Sequence, residues 1–482
     1  MADFRDLIDL ASERLGGSVL YATDDFFAEK ENLLKPHTPV WKEHEYTDRG
    51  KWMDGWESRR KRTPGHDFAI LRLGAPGVVK GVIVDTSYFR GNYPDHCSIE
   101  ACAMNPESDV DALRNAQWIE ILPKSPLKGD SQNHFDVDSH FAFTHLRFHI
   151  YPDGGVARLR VHGEIVPDWH RAGGLANEVD LVAVENGGEV LTCSDMFFGP
   201  KHNLIMPGRA HNMSDGWETR RRRGPGHDWV IVKLTAEGIP RRIEIDTNHF
   251  KGNYPDTASI DASPDGREWH EILPRTKLQA HTRHLFVDEL NVQAPATHLR
   301  LNVYPDGGVS RMRVWGRATE HGRGIAATRH LNTRTDDVAQ RELLTCCGSH
   351  EWMRRMLEAR PYRDVLATAD EVWSSLTERD WLEAFAAHPR IGERKVEAKW
   401  ASEEQSGAAR ANADTLAALA DVNQKYEDHF GYIYIVCATG KSADEMLAIA
   451  RERLVNDPKT ELRVAADEQR KITRLRLLKL VS

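Results

Sequence analysis

The first two thirds of the chain consist of two near-copies of one sequence. Three motif pairs carry the match: DGWESRRKRTPGHDF at Asp54–Phe68 with DGWETRRRRGPGHDW at Asp215–Trp229, DTSYFRGNYPD at Asp85–Asp95 with DTNHFKGNYPD at Asp246–Asp256, and THLRFHIYPDGGVARLRVHG at Thr144–Gly163 with THLRLNVYPDGGVSRMRVWG at Thr297–Gly316. A period of about 160 residues is far longer than a solenoid unit. Each copy is therefore predicted to be a domain, and the pair an internal duplication.

Each copy carries short β-type runs separated by turns. In the first copy these runs are Phe68–Leu73, Val82–Asp85, Ser98–Met104, Trp118–Leu122 and His145–Tyr151. Regular short strands without long helices are typical of a β-sandwich or jelly roll. The glycines of Asp153–Gly155 also predict a hairpin between His145–Tyr151 and Ala157–His162, because glycine accepts the positive φ of a tight turn.

The last third of the chain changes to a helical period. Residues 319–340 are polar, with few apolar positions, and predict an irregular linker. Thr377–Asp380 and Ser442–Glu445 predict capped helix starts, and apolar residues recur at helical spacing through Thr460–Val481. We therefore expect two β-sandwich domains, 1–170 and 171–318, followed by an all-α domain, 341–482.

Composition excludes several classes of protein. Hydrophobic residues make up 40% and charged residues 28% of the chain, which is typical of globular proteins, and the net charge of −9 gives no reason to expect nucleic acid or a membrane as partner. The sequence contains no long apolar run and no signal-peptide core at its start. Six cysteines without a CxxC spacing favour a reducing compartment. We expect a cytoplasmic protein that acts on small molecules.

The first two motifs carry the residue types of a binding or catalytic site. Each type has a structural alternative: the tryptophans suit the core, the arginines can pair with the glutamates, and the His-Asp pairs can ligate a metal, support acid–base chemistry or stabilise a turn. Loops at the edge of a sandwich commonly bind small molecules. The candidate residues are Arg59, Arg60, His66, Asp67 and Asn92 in the first copy and Glu218, Arg220, Arg221, His227, Asp228 and Asn253 in the second.

Taken together, the duplicated motifs GWE[ST]RR-x-R-x-PGHD, DT-x-x-F-[RK]-GN-x-PD and YPDGGV-x-R-x-R-V-x-G resemble allantoicase over nearly all of residues 1–316. The resemblance implies two tandem jelly-roll-like (galactose-binding-like) repeats that hydrolyse allantoate to (S)-ureidoglycolate and urea. One difference between the copies is a longer loop between Pro36 and Asp54 in the first.

The chemistry of that reaction suits the candidate residues. Arginines bind a carboxylate and ureido groups through paired hydrogen bonds. Release of urea needs a general base and an acid, and we take His227, Asp228 and Glu218 as catalytic candidates, with the first-copy His66 and Asp67 as counterparts. A bound divalent metal ion that activates water is the alternative.

Three motifs of the helical part are, each by itself, weak indicators of a functional site. His388–Gly392 (HPRIG) follows a helix, where a histidine is favoured by the helix dipole. Glu403–Gly407 (EEQSG) is a polar turn or helix start, and Phe430–Ile435 (FGYIYI) suggests a buried extended segment.

In this order, and with N-x-x-Y-x-x-x-FG, RERL-x-ND and KITRLRL, they resemble the 2-oxo-4-hydroxy-4-carboxy-5-ureidoimidazoline (OHCU) decarboxylase family over about Leu343–Leu480. The resemblance implies an all-α enzyme without a cofactor, usually dimeric, that forms (S)-allantoin. Its implied catalytic residues are His388, Glu404 and Arg476, and its implied substrate-binding residues are Pro389, Gln405, Phe430 and Ile433. Ala401 stands where the family often has serine, and one substrate hydrogen bond depends on that position.

Two other interpretations stay open. The repeats can be sugar-binding modules, although loops rich in Arg and His favour an anionic ligand, and the helical part can be a non-catalytic appendage. The two implied reactions are not consecutive, because allantoin must be opened to allantoate between them, so channelling is not implied. We expect a homo-oligomer, at least a dimer through the helical domain.

Overall fold

The computed structural model describes residues 3–292, 294–388 and 413–482. The chain divides into two compact units, Met1–Gly322 and Arg323–Ser482. The first unit contains both sequence repeats and consists mainly of strands, whereas the described part of the second unit is helical. These architectures confirm the predicted fold class.

Both repeats are built from antiparallel strands. The strands of the first repeat are β1 (Ile8–Asp9), β2 (Ser18–Ala22), β3 (Tyr46–Thr47), β4 (Gly50–Lys51), β5 (Trp56–Glu57), β6 (Asp67–Asp85), β7 (His96–Cys102), β8 (Ile119–Pro126), β9 (Gln132–Asp136), β10 (Ala142–Tyr151), β11 (Gly155–Val156) and β12 (Arg158–Ile165), with the short helix α1 (Val110–Arg114) between β7 and β8. Those of the second are β13 (Val179–Asp180), β14 (Glu189–Cys193), β15 (Trp217–Glu218), β16 (Asp228–Asp246), β17 (Thr257–Ser263), β18 (His270–Lys277), β19 (Arg283–Phe286), β20 (Ala296–Tyr304), β21 (Gly308–Val309) and β22 (Arg311–Ala318). Short 3₁₀ segments lie at Phe4–Asp6, Glu13–Leu15, Lys30–Leu34, Val184–Asn186, Lys201–Ile205 and Met213–Asp215.

One strand of 19 residues, β6, organises the first repeat, and β16 does the same in the second. The main sheet runs β1-β12-β6-β10-β7-β8, and β13-β22-β16-β20-β17-β18 repeats that order. The first part of β6 pairs with β2 and β10, and its last part pairs with β9 and β12. Because its two ends have different neighbours, β6 passes from one layer of the sandwich to the other.

Two predictions for the repeats are wrong. The runs Phe68–Leu73 and Val82–Asp85 belong to the single strand β6, because the Gly-Ala-Pro-Gly stretch between them continues the strand through an irregular register instead of ending it. The predicted hairpin is also absent: β10 and β12 both pair with β6, which lies between them. The turn at Asp153–Gly155 therefore connects strands that are not hydrogen-bonded to each other.

The helical unit contains α2 (Glu320–Asn332, which begins just before the boundary of the units), α3 (Asp336–Cys346), α4 (His350–Glu358), α5 (Val365–Ser374), α6 (Glu378–Ala386), α7 (Ala413–Phe430), α8 (Ala443–Arg453) and α9 (Pro458–Lys479). The capping boxes predicted at Thr377 and Ser442 are confirmed. Within the described residues, no helix combines the length and the hydropathy that crossing a bilayer requires.

The prediction of an irregular linker at 319–340 is wrong, because α2 and the start of α3 occupy it. Ala327, Leu331 and Ala339 are fully buried. A few apolar residues at helical spacing are enough to hold a polar helix when a tertiary partner covers them.

A buried polar network holds the helical unit together. The Arg453 guanidinium donates to Glu461 Oε1 at 2.8 Å and to the Ile435 carbonyl at 2.8 Å. The Tyr426 hydroxyl also donates to Glu461 Oε1, and Asn456 Nδ2 donates to Glu461 Oε2 at 2.7 Å. The buried Glu461 carboxylate is thus surrounded by donors, and residues of the N-x-x-Y and RERL-x-ND motifs serve the core.

A second buried ion pair fixes the GWE loop of each repeat to β12 or β22. Arg158 Nη2 donates to Asp54 Oδ2 at 2.8 Å, and its Nη1 donates to the Asp54 carbonyl at 3.1 Å. Arg311 and Asp215 make the equivalent contacts, with a shortest donor–acceptor distance of 2.6 Å. The arginine of YPDGGV-x-R therefore anchors the aspartate three places before each loop glutamate.

We predict that Arg158→Ala lowers the free energy of unfolding of the first unit by about 3–5 kcal/mol, because Asp54 would remain buried without its counter-charge. Urea denaturation followed by tryptophan fluorescence measures this. Arg62→Ala, at an exposed position of the same loop motif, is the control and should change stability little. Equal stability of the two variants would contradict this role for the ion pair.

For the helical unit, Arg453→Met should cost about 3–5 kcal/mol of stability, since it leaves the Glu461 carboxylate buried and unpaired. The matched control is Arg451→Met, at an exposed position of the same helix. Thermal unfolding followed by circular dichroism at a helical wavelength separates the two variants. If Arg453→Met unfolded together with the control, Glu461 would not depend on this arginine.

Candidate active sites

In each repeat, a glutamate and an asparagine from different loops form a pair. Asn92 Nδ2 donates to Glu57 Oε1 at 2.7 Å, and Asn253 donates to Glu218 in the same way. Glu57 is held by the pairing of β5 with β11, and the Gly155 amide of β11 donates to the Asn92 carbonyl at 2.7 Å. Residues from all three duplicated motifs therefore meet at one edge of the sandwich.

The Glu57 carboxyl is half-buried, and its environment favours the protonated form. Burial raises its pKa, and the hydrogen bond from Asn92 only partly opposes this effect. A carboxyl whose pKa is moved toward neutrality can both give and take a proton under physiological conditions. Glu57 thus has the property expected of an acid–base residue.

A cavity of about 390 Å³ lies beside this pair in the first repeat. Its lining includes the aromatic rings of Trp41 and Tyr88 and the cationic side chains of Lys51 and Arg90. The Lys51 ammonium lies 4.8 Å from the centre of the Trp41 ring, and Arg90 pairs with Asp130 at 3.1 Å. The cavity therefore combines positive charge, flat apolar walls and one titratable carboxyl.

The long loop of the first repeat supplies part of the cavity wall. Trp41, Lys51 and Met53 all come from the stretch between Pro36 and Asp54, which also forms β3 and β4. This stretch is ten residues longer than the corresponding one between Pro207 and Asp215. The two repeats share the Glu-Asn pair but differ in what covers it.

The histidine and the aspartate of each His-Asp pair bind different partners. Asp67 is buried and accepts from Thr23 Oγ1 at 2.7 Å and from Lys61 Nζ at 2.6 Å. His66 instead contacts His149, with 2.9 Å between Nε2 and Nδ1. Asp67 therefore fixes the basic loop to the start of β6, and the interpretation in which it orders His66 is wrong.

The second repeat shows the same division. Asp228 accepts from Ser194 Oγ at 2.9 Å and pairs with Arg222. His227 Nε2 lies 3.2 Å from Asn302 Oδ1. His149 and Asn302 were not singled out from the sequence. Both lie in the third duplicated motif, which begins with THLR, two residues before its tyrosine.

The predicted arginines fall into two groups. Arg59 binds Asp24 through its backbone amide and its Nε, at 2.9 and 2.7 Å, and Arg220 binds Asp195 likewise. For Arg59 and Arg220, the structural alternative in which the arginine pairs with the loop glutamate is therefore wrong. Arg60 and Arg221 are exposed. Trp56 and Trp217 are fully buried, which identifies them as core residues.

The described residues offer no obvious metal centre. Among them, no group of three or more His, Cys, Asp or Glu side chains is arranged to hold a metal ion. The divalent ion considered from the sequence therefore has no fitting ligand set in this part of the chain, and we derive no step through it.

In the helical unit, His388 lies just beyond the end of α6, where its amide donates to the Phe385 carbonyl at 3.0 Å. The Phe385 ring packs against Tyr432, with 5.5 Å between ring centres, and Tyr432 packs against Phe430 at 6.1 Å. Phe430 is the last residue of α7, so the prediction of an extended segment that begins at Phe430 is wrong there. The residues after it, which include the half-buried Ile433, form no strand. Pro389, Ala401, Glu404 and Gln405 lie outside the described residues.

Arg476 lies on α9 near the turn between α3 and α4. Burial raises the pKa of the Cys347 thiol to about 11, and the nearby Arg476 charge opposes that rise. The next residue, Gly348, approaches Ala387 so closely that a side chain there would clash. Because Ala387 precedes His388, the turn between α3 and α4 lies near both Arg476 and the end of α6.

Comparisons with known proteins agree with both parts of this description. The family model "Allantoicase repeat" matches residues 8–166 and 179–319, and the model "OHCU decarboxylase" matches residues 332–478. The allantoicase of Dictyostelium discoideum is 52% identical over 319 residues, covering 64% of this chain and 86% of the relative.

Two solved structures are also similar. The crystal structure of allantoicase from Saccharomyces cerevisiae is 34% identical with a TM-score of 0.56, covering 65% of this chain and 96% of that chain. The structure of an OHCU decarboxylase in the presence of (S)-allantoin is 40% identical with a TM-score of 0.27, covering 30% of this chain and 98% of that chain.

Both family models match in the order in which the two units occur along the chain. The chain therefore belongs to the allantoicase family and carries an OHCU decarboxylase domain behind its two allantoicase repeats.

Proposed function

We propose that the allantoicase reaction of this purine-breakdown enzyme takes place in the first repeat, in the cavity beside Glu57 and Asn92. The observation that carries this proposal is the half-buried Glu57 carboxyl, with its raised pKa, at the wall of a cavity that also contains Lys51 and Arg90. Allantoate has one carboxylate and two ureido arms on the same carbon. The two cations suit the carboxylate, and the Asn92 amide suits a ureido carbonyl.

Glu57 can serve both halves of the reaction. In the first half, the protonated carboxyl gives its proton to the nitrogen of the departing urea while the other ureido nitrogen forms a C=N bond to the central carbon. In the second half, the Glu57 carboxylate takes a proton from the water that adds to this carbon, and (S)-ureidoglycolate is formed. Positioned proton transfer of this kind contributes about 10²–10⁴-fold to a rate.

The second repeat carries the same groups without the long loop. We propose that the second repeat forms a weaker counterpart of the first site, from Glu218, Asn253, His227 and the exposed Arg221. Arg60 is proposed to be the cation of the first repeat that corresponds to Arg221. Asp228, like Asp67, is proposed to position the basic loop, because both carboxylates are already occupied by a hydroxyl and a cation. Arg59 and Arg220 are proposed to shape the loop through Asp24 and Asp195.

Glu57→Gln is predicted to lower kcat for urea release from allantoate by about 100-fold or more, with an unchanged melting temperature. Glu218→Gln, the matched change in the second repeat, should stay within about threefold of the wild type, since the second repeat is not the main site in this proposal. A colorimetric urea assay measures both variants. Loss of activity in Glu218→Gln with full activity in Glu57→Gln would contradict the assignment to the first repeat.

For the helical domain we propose that His388 manages the proton during decarboxylation of OHCU. Loss of CO₂ leaves negative charge on a ring carbon and on the carbonyl oxygen beside it, which Arg476 can stabilise. Phe430 and Ile433 are proposed to line the substrate site, together with Pro389, Glu404 and Gln405. No cofactor is needed in this scheme, because the substrate's own carbonyl accepts the electron pair.

We predict that His388→Ala abolishes the acceleration of (S)-allantoin formation, measured by circular dichroism of the optically active product, while urea release from allantoate is retained. His350→Ala is the control, because this side chain is exposed and pairs with Glu383 at the surface. An unchanged rate of (S)-allantoin formation in His388→Ala would show that another residue handles the proton.

Besides the two reactions, the enzyme is characterised by its oligomeric state, its cellular location and its metal requirement. We propose a homo-oligomer that is at least a dimer through the decarboxylase domain, and light scattering of the purified chain measures this. We also propose a cytoplasmic location, which is supported by six free cysteines. The involvement of a metal ion is measured by urea release before and after treatment with a chelator.

A further inference from the structure

Behind each candidate histidine of the repeats, hydrogen bonds lead to a carboxylate in the sheet. In the first repeat, His66 Nε2 contacts His149 Nδ1 at 2.9 Å, and His149 Nε2 contacts Glu100 Oε2 at 2.8 Å. Arg147 also donates to Glu100, from Nε at 2.7 Å.

These contacts determine which nitrogen of each ring carries a proton. Burial raises the pKa of Glu100, but hydrogen bonds from His149 and Arg147 outweigh this effect and the net pKa is lowered, so Glu100 is ionised and can only accept. His149 must therefore carry its proton on Nε2. Burial lowers the pKa of His149, so the ring is neutral, and its Nδ1 accepts from His66 Nε2. Burial also lowers the pKa of His66. The neutral His66 ring consequently has an unprotonated Nδ1.

The second repeat reaches the same tautomer with different residues. Asn302 Nδ2 donates to Asp261 Oδ2 at 2.9 Å, and Arg300 donates to the same oxygen at 2.7 Å. Because its NH₂ group faces Asp261, Asn302 presents its carbonyl oxygen to His227 Nε2. His227 must then carry a proton on Nε2, because the Asn302 carbonyl oxygen can only accept.

The surroundings of the two histidines correspond closely. His66 packs on Tyr151 with 4.4 Å between ring centres, and His227 packs on Tyr304 at 4.5 Å. A cation lies over each tyrosine ring, Lys124 at 4.5 Å in the first repeat and Arg275 at 4.1 Å in the second. The charged groups that act on His66 are Asp67, Lys61, Lys124 and Arg147.

The two connections differ in one chemical property. An imidazole such as His149 can accept a proton from its neighbour and release one to Glu100, whereas the amide of Asn302 can only orient its neighbour. When His66 takes a proton on Nδ1, the positive charge is shared with a second ring and faces an ionised carboxylate. When His227 takes a proton, the Asn302 amide cannot take over part of the positive charge.

We propose that Glu100 and His149 are positioning residues that hold His66 as a general base of the first repeat, in addition to Glu57. In this role His66 Nδ1 takes the proton that the ureido nitrogen loses as it forms the C=N bond, and returns it when water adds. The inference rests on the proposed location of allantoate cleavage in the first repeat. Asp261 and Asn302 give His227 the same orientation without the proton relay, which agrees with a subordinate second repeat.

The first test is the tautomer itself, read from ¹H–¹⁵N correlation spectra of the full chain with ¹⁵N-labelled histidine, with His66→Gln used to assign the signals. We expect a protonated Nε2 and a bare Nδ1 for His66 near neutral pH. A proton on Nδ1 would overturn the proposal, and this readout does not depend on enzyme activity.

The second test uses an exchange between the repeats. His149→Asn installs the second repeat's connection in the first repeat and keeps both hydrogen bonds, so the protein should fold. We expect kcat for urea release to fall by about tenfold or more with little change in KM, while the His66 tautomer is retained. His140→Asn, which changes an exposed histidine of the same repeat, is the control and should leave both constants unchanged. An unaltered kcat in His149→Asn would overturn the relay.

The third variant, Glu100→Gln, removes the negative charge that stabilises protonated His66. It should therefore move the acidic limb of the kcat/KM profile to lower pH, and Asp261→Asn should not. An unshifted limb in Glu100→Gln would contradict the relay. Failure of the relay alone would leave the Glu57→Gln result intact, whereas full activity of Glu57→Gln would refute the proposed site itself.

Discussion

A buried arginine–aspartate ion pair in each repeat determines where the site can form. Arg158 joins β12 to Asp54, and Arg311 joins β22 to Asp215. The next residues form β5 and β15, whose pairing with β11 and β21 brings the loop glutamate against the asparagine of the GNYPD motif. The duplicated motifs are therefore linked by one structural requirement, and the chemistry depends on it.

Duplication has preserved this frame and allowed the surroundings of the two sites to diverge. The first repeat has the longer loop, which contributes Trp41 and Lys51 to a cavity, and a His149–Glu100 connection behind His66. The second repeat has a shorter loop and an amide, Asn302, in the equivalent place. Both differences point in the same direction. They favour the first repeat for proton transfer, which the sequence motifs alone did not distinguish.

The sequence predicted the parts of the fold that depend on local patterns. The duplication is visible directly as repeated motifs. Spacing over a few residues indicates the β-sandwich class, the helical period of the last third and the capping boxes at Thr377 and Ser442. The linker prediction failed because burial of Ala327 and Leu331 depends on distant partners. The hairpin prediction at Asp153–Gly155 failed for the same reason, since β6 lies between β10 and β12 only in three dimensions.

The candidate sites show the same limit. The motifs identified the loop edge and His66, but the partner of His66 is His149, on β10, whereas its sequence neighbour Asp67 is occupied by Lys61 and Thr23. No local pattern distinguishes these pairings.

We propose that allantoate is cleaved in the first repeat because the long loop of this repeat completes the cavity. The most direct measurement is urea release by a variant in which residues 37–53 are replaced by the corresponding second-repeat sequence 208–214, with OHCU decarboxylation and the melting temperature as controls. We expect urea release to be lost while the other two measurements stay at their wild-type values. Undiminished urea release by this variant would contradict the account.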